Sequence, residues 1–437
     1  MIRFRHGSHV KAAGGAWSGA ALQFVAGVIL VRSLSQGDVG TFVVGSAIAT
    51  VAFGVLDVRI EEGLAQFLIR ESAAGRDRLR PALRYAVVVD VLSGLLILGL
   101  TVGVLLLLPL HLGDETRTVA VVGALAGFIG VADGSFTGVL YARDAFGWIS
   151  MYQFVLNSSR CLVLLSFPID TPASAAWAMV FAQVVTTSFV VVAVLAKFVI
   201  RANEERPLTR GDRHWLLRFS AHIALSSAVA TVRANAIPIV LGGLGTHREV
   251  AGARVAESPT KLIGVSVAPL RTVLFPRLSR AWAHRDRRAA QRLIRHYVGT
   301  TIALGGALGL LMVLVMQPLL HYIYGAAYGD FAQAGRLFVV AALLDAIAGW
   351  QKVAPAALDR PWLRTLILLS EAAALGIFLI VLVPAYGATG AAISAVVAAV
   401  TSLAMGAYWL HPALVESEWR AVEPRSTKEA SVARRSN

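Results

Sequence analysis

The chain has 437 residues, 57% of them hydrophobic and 15% charged, with a mean hydropathy of +0.67. A soluble protein of this length needs more polar surface to cover its core, so the composition excludes an ordinary soluble domain. The net charge of +14 would suggest a nucleic-acid partner in a soluble protein. Here the basic residues lie mainly in the connections between apolar segments, so we expect no nucleic-acid partner.

Long apolar segments predict about twelve transmembrane helices. Each holds roughly 20 mostly uncharged residues, the length that crosses a hydrocarbon core of about 30 Å. We expect the first to be retained as a helix rather than cleaved as a signal peptide, because its apolar part is too long. The predicted spans are 12–31, 38–56, 83–108, 118–141, 146–167, 173–198, 219–242, 249–275, 297–319, 333–356, 362–384 and 387–410.

The distribution of lysine and arginine predicts the orientation of these helices. Alternate connections and the two termini carry roughly 30 basic residues, whereas the intervening connections carry about three, Arg32, Arg117 and Arg248. Because cytoplasmic loops collect basic residues, we expect both termini in the cytoplasm.

The longest internal connection lies at the middle of the chain and is basic and polar, which predicts a linker between two halves. We expect a six-helix lobe at 1–200, a cytoplasmic linker at 201–218, a second six-helix lobe at 219–411 and a disordered cytoplasmic tail at 412–437. An internal sequence repeat supports two halves. The Arg-Asp-Arg segments GRDRLRPALRYAVV (75–88) and HRDRRAAQRLIRHYV (284–298) lie at equivalent positions, at the starts of the third and ninth spans. The fold class is therefore an all-α polytopic membrane protein with two lobes.

Motifs of enzyme chemistry are absent from the sequence. There is no GxxxxGK[ST], HExxH, CxxC or GxSxG pattern, and the ten histidines form no ligand cluster. Cys161 is the single cysteine, which excludes an intrachain disulfide. We therefore expect no catalytic residue, no metal and no cofactor, and the chain is not expected to be an enzyme.

Four segments carry a family resemblance. LSQGDVGTFVVGSAIATVAFGVLDVRIEEGLAQFLIRES (34–72) resembles the opening repeat of bacterial polysaccharide exporters, and GARVAESPTKLIGVSVAPLRTVLFPRLSRAW (252–282) resembles their eighth helix. IYGAAYGDFAQAGRLFVVAAL (323–343) and PAYGATGAAISAVVA (384–398) are similar to later segments of the same family. The chain thus resembles the polysaccharide exporter, or O-antigen flippase, branch of the multidrug/oligosaccharidyl-lipid/polysaccharide superfamily.

This resemblance implies two six-helix lobes around a central cavity in the bacterial plasma membrane. It also implies movement of undecaprenyl-pyrophosphate-linked oligosaccharide from the inner to the outer leaflet, with membrane lipids and polysaccharide assembly proteins as further partners. The seventh helix of the family often carries an acidic residue, whereas this chain has Asn235 in that segment. The alternatives are a cation-coupled multidrug exporter of the same superfamily and a membrane enzyme of polysaccharide assembly, which the short external loops disfavour.

Ionisable residues inside the predicted spans are candidate functional residues, because a charge in the membrane is costly unless it faces a cavity or a partner. Asp90 and Asp133 lie deep in the first half, and we expect them to pair within the lobe or to line the cavity. They are the candidates for proton or sodium coupling. The segment from Asp57 to Glu62 ends the second span, either at the membrane interface or at the cavity mouth.

The second half carries a predicted anion-binding site. Arg254, Glu257 and Lys261 are spaced i, i+3 and i+7, which places them on one helical face. Arg233 is expected to pair with Glu257 at a similar depth. Arginine and lysine hold phosphate oxygens by charge-assisted hydrogen bonds, as a pyrophosphate substrate would require. The predicted substrate-binding residues are Arg233, Arg254, Lys261 and Arg271.

Overall fold

The protein is described by a computed structural model that covers residues 6–73, 76–107, 112–200, 207–283, 286–357 and 360–414. These ranges contain α-helices joined by short turns, and no strand. The helices are α1 His6–Ser33, α2 Gln36–Leu56, α3 Ile60–Ala73, α4 Leu79–Leu107, α5 Asp114–Ala142, α6 Phe146–Ser166, α7 Pro172–Val194, α8 Arg210–Leu244, α9 His247–Glu257, α10 Lys261–Ala283, α11 Arg287–Leu319, α12 Ala332–Ile347, α13 Gly349–Ala357 and α14 Pro361–Leu414. The π-helical turn Leu195–Val199 extends α7, the 3-10 turn Ser258–Thr260 joins α9 to α10, and the turns Leu320–Tyr324 and Ala326–Phe331 join α11 to α12.

The predicted transmembrane helices are confirmed. Within the described residues, nine helical segments are long and apolar enough to cross a membrane, and Trp362–Leu410 among them contains two predicted spans. Helices α1 and α6 occupy the two remaining predicted positions. The chain is therefore a polytopic all-α membrane protein.

Helix α14 is two helices separated at Gly387. This glycine has φ +51°, a left-handed conformation that favours glycine because it has no Cβ. A side chain here would also collide with the carboxylate of Glu249, which accepts a hydrogen bond from the Ala388 N–H. Gly390 lies against the Leu382 carbonyl, so the chain folds back beside itself and produces two predicted spans.

Two regions predicted as connections are helical. Helix α3 lies between the second and third spans, because Ile60, Leu64 and Phe67 recur at helical spacing and are buried. Helix α8 begins at Arg210, within the predicted linker 201–218, because the Thr209 hydroxyl accepts a 3.2 Å hydrogen bond from the Asp212 N–H. Residues 201–206 of that linker and 415–437 of the predicted tail lie outside the described residues.

The backbone turns sharply between α2 and α3. Arg59 has φ +54°, a conformation that costs a non-glycine residue about 1–2 kcal/mol. Its guanidinium offsets this cost by pairing with Asp57 at 3.5 Å and Glu61 at 3.4 Å. The turn directs α3 along α5, where the Glu61 carbonyl lies against Gly138.

The helices form two lobes. Most helices pack chiefly within their own group, α1–α7 or α8–α14. The two groups meet along α8, which contacts α2 and α3 extensively, and where α2 contacts α9. We call the end that carries the connections α3–α4 and α10–α11 the arginine-rich end, and the opposite end the closed end. Hydrogen bonds cross between the lobes at the closed end. They join Arg32 to the carbonyls of Tyr322 (2.5 Å) and Ile323 (2.7 Å), Gln36 to the carbonyl of Ala327 (2.9 Å), and Thr41 to His247 (2.7 Å).

Candidate functional site

An ion network lies inside the second lobe and joins four helices. Arg233 on α8 contacts the Glu371 carboxylate on α14 and lies 3.8 Å from Asp345 on α12. Lys352 on α13 lies 2.5 Å from Asp345 and 4.0 Å from Glu371. Glu371 is 1% exposed, so its charge depends on these two cations. We call these four residues the C-lobe ion network.

The predicted pair between Arg233 and Glu257 is wrong. Glu257 instead pairs with Arg254, one helical turn away, at 3.4 Å. Similar depth along two helices does not fix which faces meet, and Asp345 and Glu371 offer carboxylates on the side of α8 that faces the lobe interior. Neither acid was predicted from the sequence. The signal for Glu371 was a single carboxylate in the apolar run LILLSEAAAL (366–375).

The predicted anion-binding residues separate into two groups. Arg254 and Lys261 are both exposed and interact electrostatically, which agrees with the face predicted from their spacing. Arg271 lies on α10, about 15 Å along the helix from Lys261. Its Nε is buried there against Gly349. It interacts there with Asp345, beside the C-lobe ion network. The accessible basic pair is therefore Arg254 and Lys261, whereas Arg233 and Arg271 lie with the network.

The two carboxylates of the first lobe are buried among neutral hydrogen-bond donors. Asp90 is 1% exposed and accepts hydrogen bonds from the N–H (3.2 Å) and the hydroxyl of Ser135. Asp133 is 5% exposed and accepts from the Tyr152 hydroxyl (3.1 Å), the Gln183 amide (2.9 Å) and the Thr187 hydroxyl (3.3 Å). Neither forms an ion pair with a described residue.

A cavity of about 510 Å³ lies between α3, α5, α6 and α8, near the arginine-rich end. Its wall combines two carboxylates, Glu61 and Glu62, with aromatic and amide side chains. The ring of Tyr152 lines it, and the hydroxyl of that residue bonds to Asp133 behind the wall. The segment from Asp57 to Glu62 thus contributes to a cavity, one of the two positions expected from the sequence.

The accessible charges differ between the two lobes. Glu61 and Glu62 line the cavity of the first lobe, whereas Arg254 and Lys261 are exposed on the second. Burial and the nearby Asp57 charge raise the pKa of Glu61 above its ordinary value. In the described part of the chain, no group of three or more His, Cys, Asp or Glu side chains is arranged to hold a metal ion.

The sequence profile of the family described as polysaccharide biosynthesis protein matches residues 14–282. This match covers more than half of the chain, through the first lobe and on to the end of α10. The chain belongs to this family. No curated protein sequence matches it.

Solved transporter structures share the fold. An inward-facing multidrug resistance MATE family transporter of the MOP superfamily superposes with a TM-score of 0.77 at 15% identity, covering 92% of this chain and 96% of that one. A MOP superfamily transporter from Pyrococcus furiosus, whose binding pocket is described as having reverse polarity, gives 0.67 at 15% identity, with 95% and 96% covered. An outward-facing MATE transporter gives 0.66 at 16% identity, with 95% and 97% covered. The polysaccharide biosynthesis family member therefore has the two-lobed MOP transporter fold.

Proposed function

We propose that this protein is a flippase for undecaprenyl-pyrophosphate-linked oligosaccharide in the bacterial plasma membrane. It moves the lipid-linked glycan by alternating access and performs no chemistry on it. Both termini lie in the cytoplasm, so the arginine-rich end faces the cytoplasm and the closed end faces outward. Membrane lipids and proteins of polysaccharide assembly are its further partners.

The observation that carries this proposal is an accessible basic pair, Arg254 and Lys261, within a member of the polysaccharide biosynthesis family. Counted along the helix from His247, Lys261 lies about 21 Å from the closed end, near the middle of the membrane. A pyrophosphate carries the charge that such a pair recognises. The salt bridge to Glu257 compensates one of the two cations, and the other remains for the substrate.

The hydrogen bonds at the closed end support an inward-facing state. They hold the lobes together where Arg32 meets the turn Leu320–Tyr324, while the cavity lies near the arginine-rich end. The higher TM-score with the inward-facing transporter agrees with this. In this state a lipid-linked glycan enters from the cytoplasmic leaflet, and breaking these hydrogen bonds accompanies outward opening.

Transport by purified protein in liposomes tests the proposal, with a fluorescent lipid-linked oligosaccharide as substrate. A charge-assisted contact contributes roughly 1.5–3 kcal/mol, so Lys261→Ala and Arg254→Ala should each lower transport about ten- to a hundredfold. Arg248→Ala is the matched control, because Arg248 is exposed at the closed end in a pair with Asp330. Parental transport by both Lys261→Ala and Arg254→Ala would place the site elsewhere.

A second candidate function is export of cationic drugs, and the acidic, aromatic cavity beside Glu61 and Glu62 favours it. The MATE fold is compatible with either substrate class. The same liposomes loaded with ethidium separate the two functions. Ethidium export without glycan movement would replace the flippase proposal.

A further inference from the structure

The cavity between α3, α5, α6 and α8 has a chemistry opposite to that expected for a pyrophosphate. We propose that it binds the first sugars of the lipid-linked glycan, and that Glu62 selects neutral or amino sugars over acidic ones. This inference rests on the proposed flippase function. It adds a specificity-determining residue and a division of the substrate between the two lobes.

The lining of the cavity suits a carbohydrate. Sugar rings present hydroxyl groups around their edge and C–H groups on their faces. Carboxylates accept hydrogen bonds from hydroxyls, amides both donate and accept them, and aromatic faces pack on apolar surfaces. A volume of about 510 Å³ lies within the range of small-molecule sites. The side chains that supply these groups are Glu61, Glu62, Gln66, Gln153, Tyr141 and Phe219.

The net charge of this wall is negative. Arg59 pairs with both Asp57 and Glu61, so one of those two carboxylates remains uncompensated. Glu62 is exposed and lies close enough to Tyr141 to interact with it electrostatically. A uronic acid bound here would place its carboxylate beside Glu62, whereas a neutral sugar meets no such repulsion and a free amine is attracted.

The positions of the cavity and of the basic pair match the order of the sugars and the pyrophosphate in the substrate. Counted from the closed end, Lys261 lies about 21 Å along α9 and α10 from His247, and Gly138, against which Glu61 lies, is about 36 Å along α5 from Asp114. The cavity is therefore about 15 Å nearer to the arginine-rich end than the basic pair. A pyrophosphate on the second lobe would project its first sugars toward this cavity, because the glycan enters from that end.

The test compares two undecaprenyl-pyrophosphate-linked disaccharides in liposomes, one ending in glucose and the other in glucuronic acid. The parent should move the neutral glycan about tenfold faster than the acidic one. Glu62→Gln should reduce this ratio to about twofold by accelerating the acidic substrate, and Glu62→Lys should invert the preference. Glu115→Gln is the control, because Glu115 is an exposed carboxylate at the closed end.

The outcomes separate the two proposals. Equal transport of both glycans by the parent, or a ratio that Glu62→Gln leaves unchanged, would overturn the sugar site while the flippase function stands. Export of ethidium by a parent that moves neither glycan would overturn both. A ratio that falls equally in Glu115→Gln would show a general surface-charge effect and would also overturn the sugar site.

Discussion

The two lobes bury carboxylates in different ways. In the first lobe, Asp90 and Asp133 are surrounded by hydroxyl, amide and main-chain donors without a cation. In the second lobe, Asp345 and Glu371 lie between Arg233 and Lys352. An ionised carboxylate in a dry interior is costly unless a positive charge accompanies it.

This difference indicates which buried carboxylates stabilise the fold through fixed ion pairs and which are able to bind a proton or a cation. The carboxylates of the C-lobe ion network have counter-ions on neighbouring helices, so their ion pairs hold α8, α12, α13 and α14 together. Asp90 and Asp133 have only neutral donors, so a proton or a cation that binds them supplies the missing positive charge. The stability of the first lobe therefore depends on what these carboxylates bind. Coupling to a proton or sodium gradient through Asp90 and Asp133 therefore stays a prediction, and the variants below test it.

The largest effect is expected from breaking the C-lobe ion network. Glu371→Ala leaves Arg233 and Lys352 with one carboxylate between them and should lower the free energy of unfolding by about 3–5 kcal/mol. The double variant Arg233→Met with Glu371→Leu should recover most of this loss, because no buried charge is left unpaired. Denaturant titration of the purified protein in detergent measures both. A Glu371→Ala variant as stable as the parent would contradict the network.

Glu71, at the arginine-rich end of α3, is a further carboxylate that is paired with cations. Arg76 and Arg78 lie 2.7 Å and 3.4 Å from Glu71, and hydrogen bonds from Arg76 above all hold the pKa of Glu71 below its ordinary value. Because the folded-state pKa is lowered, this stabilisation is present at neutral pH and is lost as the pH falls through that pKa.

We therefore expect Glu71→Gln to cost about 1.5–3 kcal/mol at pH 7, and we expect this cost to shrink progressively as the pH falls below about 4 toward the lowered folded-state pKa. Unfolding of the parent and the variant over this pH range measures the difference. A gap that stays constant with pH would show that packing, not charge, makes Glu71 important.

The smallest effect on stability is expected in the first lobe. Asp133→Asn and Asp90→Asn remove a charge that no cation accompanies, so the free energy of unfolding should change by less than about 1.5 kcal/mol. Asp345→Asn is the matched variant in the second lobe and should cost more. Transport with and without a proton or sodium gradient is the second measurement. Unchanged gradient dependence in both first-lobe variants would make these carboxylates structural.

Helix positions were predictable because hydropathy alone identifies apolar segments that cross the membrane. Helix α3 was missed because its buried face alternates with Glu61, Glu62 and Gln66, so no long apolar run marks it. The spacing of Arg254 and Lys261 predicted their shared face, since that relation is local. The partner of Arg233 was not predictable in the same way, because it depends on which faces of α8, α12 and α14 meet.

The hydrogen bonds at the closed end have a genetic consequence. Arg32 and Gln36 donate to main-chain carbonyls of Tyr322, Ile323 and Ala327, and a main-chain carbonyl is present whatever side chain the residue carries. Substitutions on the acceptor side therefore leave these bonds available, as long as the turns keep their shape. Point mutations that remove these bonds are therefore expected mainly at two codons of the first lobe, those of Arg32 and Gln36.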